Sequence, residues 1–375
     1  MAEDSVKQGA ARGKGGLTVW VLRQHAFFMA FVVLYVLAFL IEASILDPGR
    51  IAAKAFTSYA IAYVYLLLFV FYICLYMIYV MFFVRPENLI ATCIDGIRTK
   101  ILPKKRVMMA LPIIVFLPVF LSIFTQIKTM IPLANPFSWD ALFAAWDLTL
   151  HGGRQPWVWL QPLLGHPLVT KATYIVYILW FFVLQGVVFW QTFSVSRPLL
   201  RMQFFLTFVL SWALLGSIGG TLLSSAGPVY YGELVAGPNP YALQMDYLRS
   251  LDPAGGFSLV EIQNWLWRVY SEGDVAQFSG ISAMPSMHVA MVAIFALLGW
   301  RVHWALGIGF TLFALSILVS SVHLAWHYAV DGYAGILGVC LIWALVGAVL
   351  RQLPAFAPAA EPVGEAHGRP VAAEA

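Results

Sequence analysis

The chain repeatedly runs for about 20 residues with almost no charge, the length a helix needs to cross the hydrocarbon core of a bilayer. Such runs fall at Ala26–Leu46, Tyr59–Val84, Val107–Ile127, Ala172–Phe193, Phe204–Ala226, His288–Trp300, Trp304–Ser320 and Gly332–Leu350. The sixth is short and needs its flank, Ser282–Met287, to complete a span. Soluble domains carry about 25% charged residues, whereas this chain carries 11% and is 61% hydrophobic. The expected fold is therefore all-α: a polytopic membrane helix bundle with about eight transmembrane helices. Residues 1–25 and 352–375 read as polar or low-complexity tails without a cleavable signal peptide. Residues 26–106 read as two extra N-terminal helices and 107–351 as a six-helix catalytic core.

Basic residues orient the set. Lys7, Arg12, Lys14 and Arg23 precede the first span, and Arg85, Arg98, Lys100, Lys104, Lys105 and Arg106 lie between the second and third. Arg197 and Arg201 follow the fourth, Arg301 the sixth and Arg351 the eighth. The positive-inside rule makes that face cytoplasmic. Both termini are then cytoplasmic, and the connections after the third, fifth and seventh spans lie outside. In the first of these, Trp139, Phe143, Trp146 and Leu150 recur at helical spacing with Asp140 and Asp147 among them. This reads as an interfacial helix capping the bundle, open to a further part in a substrate site. The connection Gly227–Ser279 has no assigned structure. Nucleic acid is not an expected partner, because no basic stripe is interleaved with polar surface. The three cysteines, Cys74, Cys93 and Cys340, are too scattered for a disulfide or zinc framework.

Chemistry concentrates at the outward ends of the last three spans. "SSVHLAWHYAVD" occupies Ser320–Asp331 and places His323, His327 and Asp331 four apart, on one face if helical. A carboxylate one turn from an imidazole fixes its tautomer and raises its basicity, which prepares a nucleophile or base. "PSMH" brings His288 to the same side. The His-x3-His spacing also admits a metal reading with Asp331 as a third ligand, and His323 alone also reads as a hydrogen-bonded interfacial anchor.

These segments resemble the type 2 phosphatidic acid phosphatase superfamily, whose motifs are K-x6-R-P, P-S-G-H and S-R-x5-H-x3-D. Pro285, Ser286 and His288 match the second motif, with Met287 in place of glycine; Ser320, His327 and Asp331 match the third, with Ser321 in place of arginine. The first motif falls on "GTLLSSAGPVYY", where Gly220 and Gly227 stand for lysine and arginine and Pro228 remains. Losing the motif cations implies either a dead enzyme or a branch with another phosphate clamp. The pattern is most similar to the inositol phosphorylceramide synthase branch of lipid phosphotransferases.

That resemblance implies that His327 is the nucleophile, that Asp331 holds its ring, and that His288 is the general acid and then the base. Ser286 either donates to a phosphate oxygen or caps a helix, and Ser320 and His323 join the candidate substrate contacts. No metal and no cofactor is expected, because two imidazoles in opposite protonation states suffice. The expected partners are membrane lipids: a phospholipid donor and a lipid or ceramide acceptor. The replacement cation is sought among the outward residues Arg50, Lys54, Lys128, Arg154, Lys171, Arg249 and Arg268, with Arg154 and Arg268 as the leading candidates. The leading function is an integral membrane lipid phosphotransferase with an extracytoplasmic site. The alternatives are a lipid or polyprenyl phosphate phosphatase, and a non-catalytic scaffold or transporter.

Overall fold

The computed structural model describes residues 14–48, 59–251, 258–274 and 279–356. Among them every regular element is helical and no strand forms. The N-terminal part comprises α1 (Lys14–Leu46), α2 (Tyr59–Tyr79, continued by a π-helical turn at Val80–Val84), α3 (Leu89–Gly96) and α4 (Lys104–Ala134). Next come α5 (Asp140–Leu150), α6 (Pro156–Leu164), α7 (Pro167–Phe193) and α8 (Pro198–Leu222, π-wound over Trp212–Gly219). The Gly227–Ser279 connection holds a 3-10 turn at Pro228–Tyr230, α9 (Ala242–Ser250) and α10 (Ser258–Ser271). Last come α11 (Met287–Val302), α12 (Trp304–His323) and α13 (Ala329–Gln352). Residues 1–13 and 357–375 of the expected tails 1–25 and 352–375, and the cations Arg50 and Lys54, lie outside the described residues.

Six of these helices are long and apolar enough to cross a membrane: α1 from Gly16, α4, α7, α8, α12 and α13. The protein is thus an integral membrane helical bundle. Of the other two expected spans, Tyr59–Val84 is helical throughout as α2 and its π-helical turn, and His288–Trp300 falls within the shorter apolar helix α11. The flank of α11 does not extend it as expected. Ser286 is extended, at φ −70° and ψ 108°, and its side chain caps the helix that starts at Met287. At 16 residues and a rise of about 1.5 Å per residue, α11 covers about 24 Å of a core about 30 Å thick. The helix alone is thus shorter than that core, and the non-helical segment leading to it is buried in protein, where such backbone is tolerated at membrane depth.

Apolar faces divide between lipid and core. Leu34, Ile41, Phe83, Leu337 and Leu345 are exposed on the outside, while Phe28, Phe39, Phe120, Phe204, Phe208, Val292 and Phe295 are buried between helices. α11 and α12 form the closest antiparallel pair, α13 packs on α8 and α11, and α1 lies along α4.

Two sequence expectations change here. The first helix begins at Lys14 and not at Ala26. Arg201, counted above as a cytoplasmic surface charge, is almost wholly buried. Its guanidinium donates to the carbonyls of Gln191 (2.9 Å), Met109 (2.8 Å) and Thr192 (3.1 Å) and to His25 Nε2 (2.8 Å). His25 in turn donates from Nδ1 to the Val21 carbonyl at 2.8 Å. One cation thus ties α1, α4, α7 and α8 together, because burial leaves a guanidinium no water and every donor needs a protein acceptor.

Candidate active site

The loop between α12 and α13 carries the first imidazole. The backbone N–H groups of Trp326 and His327 both donate to the Ser321 carbonyl, at 2.9 and 3.2 Å, and Ala325 adopts a left-handed φ of 60° to close that turn. The position where the third motif expects arginine is thus a buried backbone bracket, and the Ser321 side chain donates to Leu318 at 2.8 Å. Three residues into the cap of α13, Asp331 reaches back in capping-box fashion. Its Oδ2 accepts from the Tyr328 N–H at 2.9 Å and from His327 Nδ1 at 3.2 Å. The Asp331 carbonyl accepts from the Ser286 N–H at 2.9 Å, which docks the start of α11 onto the start of α13.

That docking sets His288, the second residue of α11, beside His327. The ring centroids are 6.0 Å apart and the planes meet at 58°. α7 fixes the His288 ring with Tyr177 on one side (4.8 Å, 23°) and Trp180 on another (4.2 Å, 43°). The Trp180 indole donates to the His288 carbonyl at 2.9 Å. Burial, and next the Lys128 ammonium, push the His327 imidazole down to about 3, against a hydrogen bond to the Ala283 backbone that pulls it up. Burial and that ammonium both favour the neutral imidazole. In that form one ring nitrogen has a nucleophilic lone pair, and an N–H on Nδ1, 3.2 Å from Asp331 Oδ2, would leave that lone pair on Nε2.

Two residues of the interfacial helix, which the sequence reads as a cap open to a further part in a substrate site, hold this arrangement. Asp140 accepts from the N–H groups of Ala226 (3.0 Å) and Gly227 (2.8 Å) and from the Tyr328 hydroxyl (2.9 Å). Asp147 accepts from Ala329 N–H at 2.8 Å and Val330 N–H at 3.0 Å, in the first turn of α13, where amides lack helical acceptors. Burial raises both carboxyls and these donors pull them back, without cancelling the rise. The signal available in the sequence was two aspartates seven apart, hence on one face, of an otherwise apolar helix. Asp147→Ala leaves two buried amides unpaired, which costs about 1–3 kcal/mol each at most. The expected result is a lower melting temperature for the purified protein, with Asp147→Asn milder because its amide oxygen still accepts. An unchanged melting temperature for Asp147→Ala would contradict the clamp.

Both imidazoles line a cavity of about 270 Å³. Its walls are aromatic (Phe124, Tyr177, Trp212, Tyr230 and Trp326), its lining includes Lys128 of α4 and the Gly280–Ser282 segment, and among the described residues it contains no carboxylate. The remaining sequence candidates lie elsewhere. Ser286 is buried and caps α11 through a 3.5 Å contact with Val289 N–H. The Ser320 hydroxyl donates to the Ser316 carbonyl at 2.6 Å. His323 Nε2 bonds Thr170 Oγ1 at 3.0 Å, and no group of three His, Cys, Asp or Glu side chains among the described residues is arranged to hold a metal ion.

The structure does not bring Arg154 or Arg268 to this cavity. Arg154 is exposed and lies over the Trp159 ring at 5.3 Å. On α10 it is Leu266 that lines the cavity; Arg268, two positions on, points roughly 200° around the helix and is exposed. The cation that the structure places there is Lys128. By sequence Lys128 falls in an outer connection, because the apolar run ends at Ile127, but α4 continues to Ala134.

Fold and site together define a polytopic membrane protein with a His–His–Asp centre facing an aromatic-walled cavity. Residues 141–345 match the family model of the PAP2 superfamily, and the chain belongs to that superfamily, whose members are phosphatases and phosphotransferases. The matched segment runs from α5 into α13 and contains His288, His327 and Asp331; α1 to α4 lie outside it. No curated protein and no solved structure matches the chain.

Proposed function

We propose that this protein is a lipid phosphotransferase of the inositol phosphorylceramide synthase type, which moves a phospho-alcohol headgroup from a phospholipid to a lipid hydroxyl. The observation that carries the reading is the Asp331–His327 pair set against His288 in one cavity. In the first half-reaction the His327 lone pair attacks phosphorus and forms an N–P bond. The P–O bond to the diacylglycerol oxygen breaks, and His288 gives that oxygen its proton. In the second, the acceptor hydroxyl yields its proton to His288, its oxygen attacks phosphorus, and the N–P bond breaks. Asp331 balances the charge that develops on the His327 ring. The aromatic walls favour a lipid alcohol over bulk water as acceptor. The distribution of basic residues supports a site on the extracytoplasmic side.

The test is reconstitution of the full chain in vesicles that contain a headgroup-labelled phospholipid and ceramide. Label moving into an acceptor-dependent lipid product, with diacylglycerol released in equal amount, is the expected result. Label released into water as phospho-alcohol or phosphate, whether or not acceptor is present, would replace the transferase with a phosphatase. No turnover of any phosphorylated lipid would leave the scaffold reading.

A further inference from the structure

The superfamily's motif cations are absent from this chain, and one of their positions cannot hold a side chain at all. Gly227 has a φ of +100°, and a Cβ there would stand 2.6 Å from the Trp326 carbonyl oxygen. The Val229 N–H also donates to the Ala325 carbonyl at 3.0 Å, so the first-motif segment serves as a strut under the catalytic loop. A phosphoryl group entering the cavity still needs compensating charge in a site poor in water.

We infer that Lys128, on a helix outside the family match, supplies that charge and binds the phosphoryl oxygens of the substrate. Four observations converge on it. Lys128 lines the same cavity as His288 and His327. Among the described residues its ammonium has no ion pair and no hydrogen bond, whereas the buried Arg201 has all its neighbours assigned. Its stem is held in place: Gly280 packs so closely that a Cβ there would meet Lys128 Cγ at 2.8 Å and its carbonyl oxygen at 3.0 Å. The polar lining is made of potential donors (Lys128, His288, His327, Ser282, Tyr177 and the two indoles) and, among the described residues, holds no carboxylate, which suits an anion and no cation.

The start of α11 adds to this. Met287 and His288 both line the cavity, and the first-turn amides of a helix have no carbonyl within it to bond, at the positive end of its dipole. A lysine offers three donors on one compact charge, which serves a tetrahedral phosphate approached from one side. The ligand class is the phosphoryl group of a phosphate ester.

The inference rests on the transferase reading for its substrate but not for its binding test. Tungstate, a tetrahedral dianion, is titrated into the purified full chain in a phosphorus-free detergent, with tryptophan fluorescence as the readout because Trp212 and Trp326 are in the cavity wall. Wild type is expected to bind. Lys128→Arg keeps the charge and stays within a few-fold, whereas Lys128→Met weakens binding on the order of 10–100-fold, the usual cost of losing a charged hydrogen bond. Each variant must elute as a single species with an unchanged melting temperature; Lys128→Arg separates loss of charge from loss of fold.

Equal affinity in Lys128→Met and wild type overturns the inference, as does a wild type that does not bind. So does a loss carried by Arg154→Gln or Arg268→Gln instead. Labelling of His327 from a phospholipid is scored separately. Label on His327 with an indifferent Lys128→Met leaves the transferase and removes the clamp. No label with a defective Lys128→Met leaves the anion site and removes the transferase.

Discussion

His327→Ala should abolish headgroup transfer while the protein still inserts, purifies and melts as wild type does. Loss of a nucleophile costs on the order of 10⁶-fold where it has been isolated from the rest of a site, because the two-step covalent route is gone and the direct displacement it replaced is slow. The fold should survive, since the loop is held by groups other than the imidazole. The His327 backbone N–H bonds the Ser321 carbonyl, Asp140 grips the Tyr328 hydroxyl, and Asp147 grips the two amides after it. His288→Ala should cost less, about 10²–10⁴-fold, the range of a general acid or base. Transfer measured in vesicles decides the matter, with label retained on the protein as a second readout. Near-normal turnover by His327→Ala would end the phosphohistidine mechanism.

Why the proximity of His327 and Asp331 is legible in the sequence, while the contacts of Lys128, Asp140 and Asp147 are not, follows from how each group makes its contacts. His327 and Asp331 are one helical turn apart, so their pairing is a local event written in the spacing. His288 lies in a recognisable four-residue segment at the start of an apolar run. Lys128, by contrast, enters the site from α4 because that helix continues past Ile127 and because Gly280 of a distant loop lies on its stem. No periodicity records a contact of that kind. The same holds for Asp140, whose partners Ala226, Gly227 and Tyr328 come from two other parts of the chain.

The positions of the spans were likewise legible from apolar length, but their ends were not. Capping by Ser286 shortened α11 at one end, and the latch of His25 onto Arg201 accompanies an α1 that begins at Lys14, before the apolar run does. The burial of Arg201 is illegible for a related reason. The positive-inside rule reads a cation near a span end as solvated, and only the packing shows that carbonyls of Gln191, Met109 and Thr192 have replaced the water.

Asp331→Asn should cut turnover by about 10⁴-fold, the cost of the same change in serine-protease triads, with little loss of stability. The carboxylate has two neighbours on one oxygen: Oδ2 accepts from the Tyr328 N–H at 2.9 Å and from His327 Nδ1 at 3.2 Å. An asparagine can keep its oxygen toward Tyr328, which preserves the start of α13. Its NH₂ then has to be placed. Turned toward His327, it takes the place of Oδ2, gives up the Tyr328 contact, donates to Nδ1 and forces the ring proton onto Nε2, the nitrogen that has to attack phosphorus. Turned away, it leaves Nδ1–H with a neutral amide oxygen that cannot balance the charge on a phosphorylated ring. Either placement removes the nucleophile without removing the residue. The variant should therefore melt near wild type, bind tungstate near wild type through Lys128, and fail to take label on His327. Turnover within a few-fold of wild type would reduce Asp331 to a helix cap, and the pairing with His327 would then be a by-product of how α13 begins.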